Sequence, residues 1–232
     1  MRKTSLIAAI ILLFASASLT ANAQFVGPQV HDDFHDTSIL QPPAGDRVAI
    51  IVFEDLGCPM CARAHPIELQ VSQQLHVPIV RYDFPLAYHV WTFDGAVFAR
   101  YLQDKVSPKL AGQFRSDVFA SQSLIENKDD LKQYEERWAQ QHGIKLPAVL
   151  DPGGKLAAKV QADYDTGKRL NVVQTPTIIV VTRNNYQVVC GTRELLDPNQ
   201  LYPVVKAALA QAPPNPAPTA AKPHASPAAK KH

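Results

Sequence analysis

The sequence contains little cysteine, and this limits how its fold can be held together. Only three cysteines occur among 232 residues, too few for a small secreted domain that depends on several disulfides. A chain of this length can bury a core large enough to fold without such cross-links. The cysteines are therefore expected to serve chemistry rather than stability.

An excess of one charge and long apolar runs are also missing. The chain carries 23 basic and 21 acidic residues, and no basic stripe stands out, so nucleic acid is not expected as a partner. The apolar run at residues 6–14 falls far short of the roughly 20 residues that a membrane-spanning helix needs. The mature protein is therefore predicted to be soluble.

The first 23 residues have the organisation of a secretory signal peptide. Arg2 and Lys3 form a basic head, the short apolar run follows, and residues 21–23 (Ala-Asn-Ala) are a small-x-small cleavage site. No cysteine lies near this site, so a lipid anchor is not indicated. Cleavage of residues 1–23 would release a periplasmic or secreted protein, into a compartment where disulfides form and persist.

Cys58 and Cys61 lie three residues apart, after an apolar run at residues 48–53 and at the start of a segment with helical spacing. Residues three apart on a helix share a face, with Cβ atoms roughly 5–6 Å apart. A small rotamer change can therefore close or reopen a disulfide between them. A strand, a CxxC motif and a helix in this order are typical of thioredoxin-like redox proteins.

The position of Cys58 at the start of the helix predicts an acidic thiol. Free N–H groups and the positive end of the helix dipole face this residue, and such cysteines titrate below the free value of about 8.5. Cys61, one turn further along, is expected to be less exposed and less acidic. Pro59 suits the first helical position because its missing N–H would have no intrahelical partner. Pro59 and Met60 are the residues expected to tune the redox potential.

The segments before and after this helix predict part of a sheet and a helical block. Residues 24–47 contain proline and glycine without periodicity and read as an extended lead-in. Residues 48–53 and 77–82 are predicted strands on either side of the helix. Several amphipathic segments between about 90 and 169 predict a block of helices inserted between two halves of a sheet.

The remainder of the chain predicts a hairpin, a final helix and a disordered tail. Two strands separated by a polar turn at residues 183–185 indicate an antiparallel hairpin that ends near Cys190. Asp197-Pro198 indicates the start of a helix that runs to about residue 210. Residues 211–232, dominated by Pro, Ala and Lys, have nothing to bury and are expected to be disordered.

The order of these motifs resembles the DsbA-like family of exported thioredoxin-fold thiol:disulfide oxidoreductases. The resemblance is carried by residues 53–61 (Phe-Glu-Asp-Leu-Gly-Cys-Pro-Met-Cys), residues 83–86 (Asp-Phe-Pro-Leu), the helical insertion, and residues 175–177 (Thr-Pro-Thr) before the hairpin. It covers roughly residues 48–210. It implies an α/β, thioredoxin-like fold with an inserted helical block.

The resemblance also implies roles for individual residues. Cys58 would be the exposed nucleophile or electrophile, and Cys61 would resolve mixed disulfides. Pro176 would be a cis-proline opposite the CxxC motif, and Thr175 would offer its backbone to a bound peptide. Many family members have a buried acid six residues before the first cysteine, where this chain has Val52, so no acid–base helper is assigned.

The implied activity is thiol–disulfide exchange with cysteine-containing secreted polypeptides. A second redox protein, membrane-bound or soluble, would restore the pair. No organic cofactor and no metal are expected. A monomer is expected, because the sequence has no separate N-terminal dimerisation domain.

Other functions for the CxxC motif are considered beside this one. A peptide-binding or chaperone-like module would use the groove around Thr175 and Pro176, with an incidental redox pair. A metal-delivery protein would use Cys58 and Cys61 as soft ligands. A structural zinc site would need further ligands such as His65 or His76, although each is interpreted as a surface or capping residue.

The third cysteine, Cys190, lies at the end of a predicted strand. It is expected to be a buried, inert thiol. The alternative is a thiol close enough to exchange with the CxxC pair.

Overall fold

The computed structural model of the protein describes residues 34–190 and 200–212. The predicted signal peptide, the predicted start of the last helix at Asp197-Pro198 and residues 213–232 of the predicted tail lie outside these described residues.

The described residues contain four strands and six α-helices. The strands are β1 (Val48–Glu54), β2 (Ile79–Asp83), β3 (Thr177–Thr182) and β4 (Tyr186–Cys190), and the helices are α1 (Pro59–Leu75), α2 (Thr92–Tyr101), α3 (Pro108–Ser121), α4 (Lys128–Gln141), α5 (Lys155–Leu170) and α6 (Leu201–Gln211). A π-helical turn at Leu102–Val106 connects α2 to α3. None of these described helices is both long enough and apolar enough to cross a membrane.

The strands form one sheet in the order β2-β1-β3-β4. β1 pairs in parallel with β2 and antiparallel with β3, and β3 pairs antiparallel with β4. All seven residues of β1 are buried because helices cover both faces of the sheet, which explains the uninterrupted apolar run in the sequence. The predicted strand–helix–strand unit and the predicted hairpin are confirmed.

Alternate residues of β1 face two different apolar clusters, as the period of a strand requires. Ile50 and Val52 belong to the cluster beneath α1 and α6, whereas Ile51 and Phe53 belong to the cluster that contains Leu170 of α5. The sequence pattern predicts α5 as part of the helical block, but α5 packs on this second face of the sheet. Val52 therefore lies in the apolar core beneath α1 and α6.

Buried apolar side chains of α2, α3 and α4 form most of a third cluster. Its centre is aromatic, with Phe98, Phe114 and Trp138 in contact through ring pairs 4.8 and 5.3 Å apart. Cys58 and Cys61 belong to the same cluster. The CxxC motif thus lies where the helical block meets the sheet.

Both ends of the sheet domain are more ordered than the sequence predicts. Leu40 of the lead-in is buried, and the His35 N–H donates to the Leu170 carbonyl over 3.3 Å. At the other end, the Arg47 guanidinium donates to the carbonyls of Leu209 and Ala212. Ala212 is buried in the α1–α6 cluster, so placing the start of the tail at residue 211 was wrong by two residues. The arginine that caps the last carbonyls of α6 explains why the helix continues.

Candidate active site

Cys58 is the N-cap residue of α1, and Cys61 lies in the first turn. Both are free thiols in this structure. Cys58 is only 6% exposed and Cys61 2%, so the expectation that Cys58 is exposed was wrong. Cys58 is covered because its Sγ lies 3.2 Å from the carbonyl oxygen of Thr175, on the loop before β3. The order of exposure, with Cys61 deeper, is as predicted.

The loop before β3 forms the facing wall of the CxxC motif. The Thr175–Pro176 peptide bond is cis, and the Thr177 hydroxyl donates to the Gln174 carbonyl across the loop. The Thr175 hydroxyl is buried without a partner among the neutral groups around it, and a hydrogen bond from it favours the Cys58 thiolate. The structure therefore brings Thr175 and Pro176 to the CxxC motif and leaves one donor beside Cys58.

The two cysteines have opposite pKa shifts. The pKa of Cys58 is lowered to about 6, chiefly by a hydrogen bond from the Cys61 thiol, although burial opposes the charge. Hydrogen bonds from the Thr175 side chain and from the N–H groups of Cys61 and Met60 lower this pKa further. The pKa of Cys61 is raised well above that of an ordinary thiol, first by burial and then by the hydrogen bond and charge of Cys58. At neutral pH the pair is therefore a thiolate at Cys58 beside a protonated thiol at Cys61.

Replacing Thr175 by valine should raise the pKa of Cys58. Valine has nearly the same shape but no hydroxyl to donate to the thiolate, so we expect the midpoint to rise by about half to one unit. The thiolate absorbance of the reduced protein, followed against pH, measures this midpoint. Thr166→Val, which removes an exposed hydroxyl of α5, should leave it unchanged. An unchanged midpoint in Thr175→Val would show that the hydroxyl does not reach the thiolate.

The turn that presents Cys58 is fixed from two sides. The Cys58 N–H donates to the Asp55 carbonyl over 3.0 Å. The Gln122 side-chain amide, at the end of α3, donates to the carbonyls of Leu56 and Cys58 over 2.6 and 3.0 Å. The helical block therefore holds the start of α1 directly, a role for Gln122 that no sequence motif indicated.

A buried cluster of charged residues lies behind the motif. Its members are Glu54, Glu68, Arg81, Asp83 and Arg115, from β1, α1, β2 and α3. The Arg115 Nη1 atom lies 2.9 Å from Glu54 Oε1 and 2.7 Å from Asp83 Oδ1. Arg81 pairs with Glu54 and, over 3.0 Å, with Glu68. Each charge thus has an opposite partner, which buried charges require.

No sequence motif indicated this cluster, although the position of one member, Glu68, was informative. Glu68 follows Cys61 and Ala64 at helical spacing and precedes Val71, and these positions form the buried face of α1. A carboxylate on the buried face of a helix indicates a buried partner. Nothing comparable marked Arg115, because its partners lie on two strands distant in the sequence.

Glu54 is the acid nearest in sequence to the position held by Val52, and its charge contributes to the raised pKa of Cys61. Its two carboxylate oxygens accept from Arg115 and Arg81. Both oxygens of Glu54 are thus engaged by arginine donors.

His65 is buried, so its interpretation as a surface or capping residue was wrong. Its Nε2 lies 2.8 Å from the Ser116 hydroxyl, and its pKa is lowered to about 4, first by burial and then by the charge of Arg81. Potential ligand atoms of Glu54, His65 and Glu68 lie within 4.8 Å of one another. The arginines already neutralise both carboxylates, so this group does not fit a metal ion. His76 does cap α1, in a left-handed conformation.

Cys190 is buried at the end of β4, among apolar side chains of the α1–α6 cluster. Its pKa is raised to about 11, chiefly by burial and then by the charges of Glu68 and Cys58. It is therefore a protonated, weakly reactive thiol at neutral pH. The expectation of a buried thiol is confirmed.

A family model described as thioredoxin matches residues 44–189. The chain belongs to the thioredoxin family. The match begins just before β1 and ends within β4, so it spans the sheet, the CxxC motif and the helical block. The predicted α/β, thioredoxin-like fold is confirmed. Among proteins of curated function, none matches the chain.

Solved structures show that the fold is of the DsbA type. The structure of Wolbachia pipientis alpha-DsbA1 is 17% identical with a TM-score of 0.55, over 80% of this chain and 94% of that one. Pseudomonas aeruginosa DsbA2 is 17% identical with a TM-score of 0.51, over 72% and 91%. A periplasmic thioredoxin-like protein from Salmonella enterica serovar Typhimurium is 18% identical with a TM-score of 0.56, over 73% and 88%.

Proposed function

We propose that the protein is an exported thiol:disulfide oxidoreductase that exchanges disulfides with secreted polypeptides through Cys58 and Cys61. The observation that carries this proposal is the placement of Cys58 at the N-cap of α1, facing the Thr175 carbonyl, with Cys61 deeper in the first turn. This placement gives the two thiols opposite pKa shifts. A lowered pKa makes one sulfur both a nucleophile at neutral pH and a good leaving group. A raised pKa keeps the second sulfur protonated until it is needed.

The exchange requires only the two cysteines and the substrate. The Cys58 thiolate attacks one sulfur of a substrate disulfide, the substrate S–S bond breaks, and the second substrate sulfur leaves as a thiolate and is protonated. Cys61 then loses its proton and attacks Cys58 Sγ, which breaks the mixed disulfide. The substrate leaves as a dithiol and the protein keeps the Cys58–Cys61 disulfide. The reverse sequence oxidises a substrate dithiol.

Apolar side chains near the motif support a polypeptide substrate. Val173 is exposed two residues before Thr175, and Tyr88 and Val90 are exposed on the loop after β2. Exposed apolar residues around a reactive thiol favour contact with unfolded chains. The Thr175 backbone would align such a chain beside Cys58, while Pro59 and Met60 set the start of the helix and hence the potential.

Export is proposed from residues 1–23, with cleavage after Ala23. The catalytic unit would comprise residues 48–212, with helices α2 to α5 inserted between β2 and β3, and a basic tail would follow. The similarity to a periplasmic thioredoxin-like protein supports a periplasmic or secreted location. A separate redox protein would return the pair to its working state, and the catalytic unit would act as a monomer.

The reduction of insulin disulfides by dithiothreitol tests this function. The wild-type protein should accelerate it, Cys58→Ala should abolish the acceleration, and Cys190→Ala should retain it. Equal rates with wild type and Cys58→Ala would refute the proposal. Suppression of aggregation that survives loss of both Cys58 and Cys61 would instead favour a peptide-binding module.

A further inference from the structure

The loop from Leu86 to Trp91, which follows β2, lies directly against the turn that presents Cys58. A Cβ atom at Gly57 would lie 2.7 Å from Thr92 Cγ2 and 3.0 Å from His89 Cγ. Real Cβ atoms essentially never lie 2.7 Å from another heavy atom, and 3.0 Å is tighter than most of their contacts, so the absence of a side chain at Gly57 permits this packing. The imidazole of His89 is thus packed on the backbone of the residue before the reactive cysteine.

Asp55 joins this loop to the turn. Its side chain is buried and accepts three hydrogen bonds. Oδ1 accepts from the Gly57 N–H over 2.8 Å, whereas Oδ2 accepts from the Leu86 N–H over 2.7 Å and lies 2.8 Å from His89 Nδ1. Its carbonyl accepts from the Cys58 N–H. A buried carboxylate needs such donors, and removing one leaves it under-satisfied.

We propose that His89 is a positioning residue for Cys58 that acts through Asp55. This inference rests on the proposed function. By donating Nδ1–H to Oδ2, His89 holds the carboxylate in the orientation in which Oδ1 fixes Gly57. The turn then directs the N–H groups of Met60 and Cys61 towards the thiolate. Without His89, the carboxylate keeps only the donors of Leu86 and Gly57, so its orientation is less tightly fixed and its hold on the turn is weaker.

Other titratable groups near His89 lie on its own loop, at the start of α1 and on α5. The Tyr88 ring packs edge-on against the imidazole, with centroids 4.4 Å apart. Cys58 and Cys61 lie at the start of α1. The pKa of Tyr88 is raised, first by burial and then by the charges of Cys58, Asp55 and Cys61. From α5, Tyr164 lines a cavity of about 230 Å³ together with His89. Of these groups, Asp55 is the one that hydrogen bonds to the imidazole.

Two variants at position 89 test whether the hydrogen bond to Asp55 matters. His89→Ala removes the donor to Asp55, whereas His89→Asn keeps an amide N–H close to the place of Nδ1. We expect His89→Ala to raise the midpoint of Cys58 ionisation by about half to one unit, and alkylation by iodoacetamide near pH 6 to become roughly two- to fivefold slower. His89→Asn should restore at least half of both changes. His76→Asn, at the exposed C-terminal end of α1, should match the wild type.

Both measurements use the reduced full-length protein without any polypeptide substrate. They therefore remain readable if the protein fails to reduce insulin, which would refute the proposed function alone. A His89→Ala midpoint equal to that of the wild type would overturn the positioning role. So would a His89→Asn midpoint equal to that of His89→Ala, because the hydrogen bond to Asp55 would then not matter. Thermal unfolding of each variant verifies that the titrated protein is folded.

Discussion

Replacement of Arg115 by methionine is expected to lower the free energy of unfolding by about 3–5 kcal/mol at neutral pH. Arg115 is almost completely buried and bridges Glu54 of β1 to Asp83 of β2. Methionine fills much of the volume of the arginine side chain, but it leaves the buried carboxylates of Glu54 and Asp83 with one positive partner fewer each. Urea unfolding, followed by tryptophan fluorescence, measures the loss.

The pH dependence of this variant distinguishes lost charge pairing from lost packing. Burial disfavours the Asp83 carboxylate, yet Arg115 and Arg100 hold its pKa below the usual range. Pairing of Asp83 therefore stabilises the wild type above the unfolded pKa of about 4, and this stability is lost as pH falls through the folded pKa. In Arg115→Met, Asp83 loses one of its two arginine partners while its burial remains, so its carboxyl can protonate at mildly acidic pH. The destabilisation should thus be smaller near pH 5 than near pH 7.

Lys109→Met provides the matched control, since it removes a positive charge from an exposed position on the same helix. Its effect should stay within about 0.5 kcal/mol. A destabilisation in Arg115→Met no larger than this would show that the cluster does not depend on that arginine.

Replacement of Cys61 by serine is expected to stop turnover and to trap the protein on its substrate. Cys58 still attacks a substrate disulfide, but no second sulfur is present to resolve the mixed disulfide. In the insulin assay the rate should fall to that of dithiothreitol alone. Mass spectrometry of the reaction with a disulfide-bonded peptide should show an adduct on Cys58. A Cys61→Ser variant that turns over without an adduct would contradict the assignment of Cys61.

Comparison of Cys61→Ala with Cys61→Ser separates the role of Cys61 as resolving thiol from its role as hydrogen-bond donor to Cys58. The thiol of Cys61 donates the hydrogen bond that contributes most to the lowered pKa of Cys58. A serine hydroxyl can still donate to the thiolate, but a methyl group cannot. The pKa of Cys58 should therefore rise in Cys61→Ala and stay low in Cys61→Ser. Equal thiolate titrations in both variants would show that the donated hydrogen bond is not the cause.

Features with a local sequence signal were predicted well. The β1 run, the CxxC motif at the start of α1 and the hairpin each depend on residues adjacent in sequence, so propensity and spacing identify them. The lowered pKa of Cys58 was predicted from its place at a helix N-terminus, but the hydrogen bond from Cys61 contributes most to it. The order of these elements was enough to identify the family.

Features that depend on distant residues were not predicted. The contact between Cys58 and Thr175 joins residues 117 positions apart, and it buries a cysteine that the family pattern suggested would be exposed. His65 looked like a surface histidine because its partners lie on α3. The Asp55–His89 hydrogen bond spans two loops, neither of which has a periodic pattern. In each case the tertiary fold, and not the local sequence, decides the environment.

The redox equilibrium of the Cys58–Cys61 pair with glutathione tests the central claim most directly. With the pKa of Cys58 lowered to about 6, the reduced form is stabilised, and we expect a reversible equilibrium. Its potential should lie between about −270 mV, found for a weakly acidic pair, and about −120 mV, found for a strongly acidic one. Mass spectrometry should show that the oxidised protein links Cys58 to Cys61. A pair that stays reduced at every glutathione ratio would contradict the account, as would a disulfide that involves Cys190.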